Sequence, residues 1–393
     1  MTHIGHGLRL MARHASARLG RSLLVVPVAL AIGGAGTSPD VQVGKLAAET
    51  GFEGAVLISK GEKILLRKAY GRAVPKELFE LLASKLPATS PPDAFDLRNT
   101  WRWASVTKQV TAVLVMQEVE AGRIDLDLPI SRYLPNFASP NASTATVRQL
   151  LKHQAGLPNP DDTAADAASP SDFYSKGYPG SRDPLTGYCA GKPQAAPGGN
   201  WQYNNCDYIV AGALLEAVTG KPWPQLVQDR IAKPLKLRSL DAYPRTGTLH
   251  MMFEQDEANR VQPERAIDMA AFEASGGLFG SINDLWTFDR ALMTGKLLGP
   301  KALAELWDSS PQQGFIALGQ WVYAVPIKGC AEPLRIVERR GSIGGASVRN
   351  FILPDKDMVV IAFTNRGGFE DDFGEPWQGK GLSHDLLAAA ACQ

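Results

Sequence analysis

Two β-rich runs, residues 54–59 and 63–70, flank a Lys60-Gly61-Glu62 turn and predict a hairpin. Residues 74–97 break that pattern: a short helical piece (75–85) and a Pro-rich stretch (87–92) read as a surface insertion. Apolar positions then recur at helical spacing through Val106, Val110, Val113, Leu114 and Val119, predicting a helix from Ser105 to Glu120 with Gly122 as its stop. Residues 146–152 predict a short helix, and 208–219 a strongly apolar one ending at Gly220. Between them, residues 159–197 have little periodicity and are rich in Ala, Asp, Ser, Pro and Gly. A segment of that length inside a compact domain predicts a lid or a cleft wall. A Gly-rich turn, 274–281, precedes a helix over 282–293, and its spacing fits no nucleotide signature. Strand patterns return at 319–326, 334–338, 347–353 and 358–364, before a closing helix over 383–392.

Strands near both ends with helices between them predict an α+β fold, an antiparallel sheet flanked by helices plus a mostly helical subdomain. Residues 40–100 and 281–393 would build the sheet subdomain and 101–280 the helical one, with a cleft where they meet. No internal repeat is present.

Composition adds little to this picture until the N-terminus is considered. Hydrophobic residues make up 45% and charged ones 21%, as in ordinary soluble proteins. Arg9, Arg13, Arg18 and Arg21 precede an apolar run, 22–34, followed by small residues at Ala35 and Gly36. That order predicts a signal peptide over residues 1–36 and a periplasmic or secreted domain over 40–393. The run is short and interrupted by Pro27, so no stable membrane anchor is expected once it is cleaved. Losing those four arginines takes the formal charge from +1 to −3, which argues against a nucleic-acid partner.

The chemistry concentrates at Trp101-Arg102-Trp103-Ala104-Ser105-Val106-Thr107-Lys108. Ser105 and Lys108, three apart, share one helix face. A serine hydroxyl is a weak nucleophile until a base takes its proton. Lysine can be that base only when neutral, which requires a pKa well below its usual value of roughly 10.4. Trp101, Trp103, Val106, Val110 and Val113 supply the apolar burial for such a shift. The plain alternative is that Ser105 caps a helix. Tyr203-Asn204-Asn205 is the chain's single Tyr-x-Asn, and Arg339-Arg340-Gly341-Ser342 falls where a strand is expected. His153 is a weaker candidate base, and a nucleophile-elbow hydrolase is excluded because no Gly-x-Ser-x-Gly occurs.

These three elements, in this order, resemble the serine β-lactamase and penicillin-recognising enzyme superfamily, and Tyr-x-Asn resembles its class C β-lactamases, D-alanyl-D-alanine peptidases and related esterases. The resemblance runs from about Gly51 to the end and implies a β-lactamase/transpeptidase-like fold. It implies Ser105 as nucleophile, Lys108 as proton acceptor and Tyr203 in the proton relay. Asn205 would hold Lys108 and the substrate amide. Backbone N–H groups of Ser105 and Ser342 would bind the oxyanion, and Gly341 would let substrate approach the strand. The third motif departs from the family's Lys or His followed by Thr or Gly. Arg339 keeps the positive charge and is expected to bind a substrate carboxylate, while the larger Arg340 would narrow the cleft or point away.

Cys189, Cys206, Cys330 and Cys392 suggest two disulfides in an exported chain, and three pairings are open. Cys189–Cys206 with Cys330–Cys392 is favoured, because the first closes the Pro/Gly-rich loop that carries Tyr203. A metal site is not expected, since no pair has Cys-x-x-Cys spacing and few histidines remain. The expected activity is cofactor-free hydrolysis of amide or ester bonds through an acyl-Ser105 intermediate. Its substrate would be a small molecule or peptide: a D-amino-acid peptide (peptidoglycan-derived fragments included), a β-lactam or a small ester. The alternative is a catalytically silent sensor or ligand-binding protein on the same fold.

Overall fold

The computed structural model describes residues 38–392 except 77, 80–93, 165–170, 243–248, 256–259 and 368–372. The expected signal peptide and most of the 74–97 insertion lie outside the described residues.

Uninterrupted apolar runs form the middle of a sheet that is covered on both faces. Strand β1 (Gly54–Lys60) is buried at every position except Lys60, and β6 (Met358–Thr364) at every position. Because side chains alternate along a strand, Ala55 and Leu57 enter one core while Val56 and Ile58 enter another. β6 divides in the same way, with Ile361 and Phe363 on one side and Val360 and Ala362 on the other. The remaining strands are β2 (Lys63–Tyr70), β3 (Trp321–Val325), β4 (Leu334–Ile343) and β5 (Ala346–Leu353). All neighbours are antiparallel, in the order β2-β1-β6-β5-β4-β3. Helices α1 (Pro39–Thr50) and α6 (Leu382–Ala391) fill the smaller core through Val43, Ala47, Leu386 and Leu387. Helix α5 (Ile282–Met293) packs into the larger one through Ile282, Leu285 and Phe288.

β4 is longer than the pattern predicts. Its apolar half ends near Glu338, yet it continues through Arg339-Arg340-Gly341-Ser342 because β5 pairs with it residue by residue to Ile343↔Ala346. On its other edge, β3 reaches only Trp321↔Glu338. Residues 339–343 are therefore laddered to β5 alone among the strands.

The nucleophile segment crosses between sheet and helices. Trp101–Arg102 pairs with Phe279–Gly280, and the Trp103 N–H donates to the Leu278 carbonyl at 2.9 Å. A 3₁₀ turn, Ala104–Val106, leads into α2 (Thr107–Glu120), so Ser105 precedes the helix and makes no cap bond. Helix α2 is buried at every residue from Thr107 to Met116, which makes it a central helix rather than an amphipathic one.

The short helix α3 (Val147–Leu151) starts at a Thr146/Gln149 capping box. Helix α4 (Asn205–Thr219) begins three residues before its apolar run because the Asn204 side chain accepts the Cys206 N–H at 2.8 Å. Disulfides join Cys189 to Cys206 and Cys330 to Cys392, the first clamping the long irregular segment to the first turn of α4. No helix among the described residues is long and apolar enough to cross a membrane.

Candidate active site

Ser105, Lys108 and Tyr203 converge where the 3₁₀ turn, α2 and the residues before α4 meet. The Ser105 Oγ lies 2.5 Å from the Tyr203 hydroxyl and 3.1 Å from Lys108 Nζ, which is 2.7 Å from the same hydroxyl. Lys108 is fully buried. Its amine also donates to Asn205 Oδ1 at 2.6 Å and to the Ser275 carbonyl at 2.7 Å. Those two oxygens can only accept. A neutral amine has two N–H groups to give them, so its lone pair is left facing the Ser105 and Tyr203 hydroxyls. Burial first, then the charge of Arg339, pulls the Lys108 pKa well below its ordinary value; Asp161 and Asp207 oppose this. Burial also pushes both of those acids upward, Asp207 strongly, which weakens their opposition.

Asn205 links this cluster to the irregular segment. Its Nδ2 donates to the Tyr174 hydroxyl at 2.9 Å and to the Asp161 carboxylate at 3.3 Å. Asn159 Nδ2 donates to the Tyr203 carbonyl at 3.3 Å, and Tyr174 stacks on Phe272 with ring centroids 3.8 Å apart. Asp161, Ala164, Ser171, Asp172 and Tyr174 thus wall a cavity of about 510 Å³ that reaches Ser105, Tyr203, Asn205 and Ser342. Asp161, Tyr174 and the Ser275 carbonyl escaped sequence reasoning. The only hint was the length of an aperiodic loop, and a carbonyl carries no sequence signature.

Gly341 comes very close to the serine. A Cβ there would lie 2.6 Å from the Trp103 carbonyl oxygen and 2.9 Å from the Ser105 nitrogen, so only glycine lets β4 run against the Ser105 N–H. Arg102 fixes the far end of the same strand. It grips Glu264 through both guanidinium ends at 2.6 and 2.5 Å, and Glu264 accepts the Gly345 N–H at 2.9 Å.

Arg339 does not offer the expected carboxylate anchor. Its side chain is only 1% exposed, its Nε donates to the Ser105 carbonyl at 2.8 Å, and its two terminal nitrogens have no hydrogen-bond partner among the described residues. The guanidinium lies 5.7 Å from the Tyr203 ring centroid and 5.2 Å from that of Trp321. Packed between rings, it acts as a fixed buried charge behind Ser105 and Tyr203. Arg340 is directed to Glu375 through both terminal nitrogens and lies 3.0 Å from Glu338.

His153 sits beneath Tyr203, 4.9 Å between ring centroids, with Nδ1 3.2 Å from Asp207. Burial pulls the histidine pKa well down and that of Asp207 well up, which disfavours charge on either partner of this contact beneath the Tyr203 segment.

A helix-flanked antiparallel sheet with a serine, a buried lysine and a tyrosine at one cleft defines the β-lactamase/transpeptidase-like class of fold. A profile of the Beta-lactamase family matches residues 42–382, and the chain belongs to that family. It is a serine hydrolase of amide or ester bonds. Over 325 residues it is 25% identical to a Bacillus subtilis protein provisionally named penicillin-binding protein PbpX, covering 81% of this chain and 71% of that one. A Salmonella typhimurium protein provisionally named D-alanyl-D-alanine carboxypeptidase is also 25% identical, over 79% of this chain and 78% of that one. Among solved structures, the D-stereospecific amidohydrolase from Streptomyces sp. superposes with TM-score 0.67 at 23% identity, covering 91% and 99% of the two chains. The D-amino acid amidase from Ochrobactrum anthropi SV3, complexed with D-phenylalanine, gives 0.68 at 20%, covering 90% and 97%.

Proposed function

We propose that this protein is an exported serine amidase or esterase whose nucleophile is Ser105, and that its substrates carry a free α-amino group beside the scissile carbonyl. The observation that carries the first part is the placing of buried Lys108 Nζ against two obligate acceptors and both the Ser105 and Tyr203 hydroxyls. Neutral Lys108 takes the Ser105 proton, directly or through Tyr203, as Oγ bonds to the carbonyl carbon and the C=O electron pair moves to oxygen. The Ser105 and Ser342 N–H groups stabilise that oxyanion, a reading favoured by the close approach of Gly341. Collapse breaks the C–N or C–O bond, and Tyr203 hands the proton to the departing amine or alcohol. Water then attacks the acyl-serine with the same base and frees the acid.

Asp161 supports the second part. Its carboxylate lines the cavity next to Asn205 and takes part in no ion pair among the described residues, so an ammonium group would complement it. The names of the amidase relatives agree with this reading, and the burial of Arg339 counts against a carboxylate-led substrate. Two disulfides and the basic-then-apolar N-terminal run support export to an oxidising compartment.

Intact-mass analysis after a fluorophosphonate is the test of the nucleophile. One adduct is expected on the wild type and none on Ser105→Ala; an equal adduct on both proteins removes Ser105 from the mechanism. For Asp161, kcat/KM on D-alanyl amides should fall about 10–100-fold in Asp161→Asn, the worth of a charged hydrogen bond, with N-acetylated substrates unchanged. Equal losses on both would cancel the ammonium reading.

A further inference from the structure

Ser105, Tyr203 and Ser342 line a second cavity, also about 510 Å³, on the other side of the serine from Asp161 and Asn205. Its walls are aromatic. Trp201 and Trp321 meet edge to face at 5.9 Å, and Trp377 stands across from them with Arg340 between, 5.2 Å from the Trp321 centroid and 5.9 Å from that of Trp377. Trp201 is 38% exposed and Trp377 56%. Large rings left in water on both walls of a reactive cleft form an apolar surface that a ligand can cover. Phe315, another exposed ring, extends this face through Tyr323, which packs on Trp377 at 5.6 Å.

The cationic side chains of this cavity are either paired or buried. Arg340 is paired with Glu375 and Glu338, and the unpartnered nitrogens of Arg339 are buried beneath the rings. A stacking surface without a free charge suits a flat, neutral group better than a carboxylate. Asp161, which we assign to the α-amino group of the acyl half, lines the first of these two cavities and not the second. The second cavity therefore falls to the half that departs. Trp201 also lies two residues before Tyr203, whose hydroxyl returns the proton to that half.

We propose that Trp201, Trp321 and Trp377 form a leaving-group subsite for a neutral aromatic group: an aromatic residue whose own carboxyl is in amide linkage, or an aryl amine. This subsite rests on Ser105 being the nucleophile. It requires the enzyme to prefer aromatic over small leaving groups, and amidated over free-carboxylate ones.

The test holds the acyl half constant. D-alanyl-phenylalaninamide, D-alanyl-alaninamide and D-alanyl-phenylalanine are compared in the wild type, Trp377→Ala and Trp201→Ala, together with fluorophosphonate labelling of Ser105. Trp377→Ala should lower kcat/KM about 10-fold on the phenylalaninamide substrate and less than 2-fold on the alaninamide one, with labelling unchanged. The wild type should turn over the free-carboxylate substrate more slowly than its amide. Tryptophan fluorescence gives a reading independent of turnover: phenylalaninamide alone should quench the wild type and not Trp377→Ala, and alaninamide should quench neither. Equal losses on aromatic and alanine leaving groups overturn the proposal while leaving the Ser105 reading intact. Unlabelled wild type, with Ser105→Ala equally active, overturns both. Unchanged kinetics and quenching also overturn it, and a Trp377-dependent change in sedimentation or in binding to phosphatidylglycerol vesicles would then identify a second copy or a lipid surface as the occupant.

Discussion

Replacing Arg339 by methionine tests whether its buried charge tunes the catalytic base. The Arg339 Cζ and the Lys108 Nζ lie 5.7 and 4.8 Å from the same Tyr203 ring centroid, so the two cations are at most about 10.5 Å apart. At an effective dielectric constant of about 20, that repulsion is on the order of 1.6 kcal/mol. It disfavours the ammonium form and so holds the Lys108 pKa down, the same direction as burial. Lys108 accepts a proton only when neutral, so kcat/KM rises with pH through its pKa. Arg339→Met should therefore move that acid limb to higher pH. Arg339→Lys keeps the charge and should leave the limb in place, while both variants lose plateau activity with the Nε bond to the Ser105 carbonyl. Because the guanidinium is buried, a neutral ester such as nitrophenyl acetate and a carboxylate-bearing amide should respond alike. Full pH–rate profiles of the three proteins on both substrates are the assay. An unmoved limb in Arg339→Met refutes the electrostatic argument, and a loss confined to the carboxylate substrate restores the anchoring role.

Lys108→Ala and Tyr203→Phe should each slow acylation by roughly 10²–10⁴-fold in single-turnover measurements with circular dichroism unchanged; a rate within a few-fold of wild type removes that residue from the relay. Gly341→Ala drives a methyl group against the Trp103 carbonyl and the Ser105 nitrogen, and acylation should fall at least about 100-fold, as for a lost oxyanion donor. Normal activity in that variant would mean that β4 and the Ser105 N–H do not cooperate. Removing the Cys189–Cys206 bond, which closes a 17-residue separation, should cost about 3 kcal/mol by thermal denaturation, and removing Cys330–Cys392, with a separation of 62, about 4. Only the first should also lower turnover, because Tyr203 lies three residues from Cys206; equal activity in both variants would mean that the bond does not hold Tyr203.

Local spacing and burial on both faces made much of this protein readable from its residues alone. Apolar runs such as 54–59 and 358–364 are strands because both faces of the sheet are covered, and no competing period exists to obscure them. The adjacency of Ser105 and Lys108 was legible for the same kind of reason, since three positions apart within one turn is a local distance. Contacts between distant segments are not written in that way. The extension of β4 through Arg339-Arg340-Gly341-Ser342 comes from its partner β5, against the weak strand propensity of those residues. The acceptors that turn the Lys108 lone pair toward Ser105 come from Asn205 and Ser275, 97 and 167 positions away. Whether Arg339 faces substrate or core depended on what packs over it, and Tyr203 and Trp321 cover it. Propensity and period report on neighbours in sequence; the chemistry of this cleft depends on burial and hydrogen bonds between segments that only the folded chain brings together.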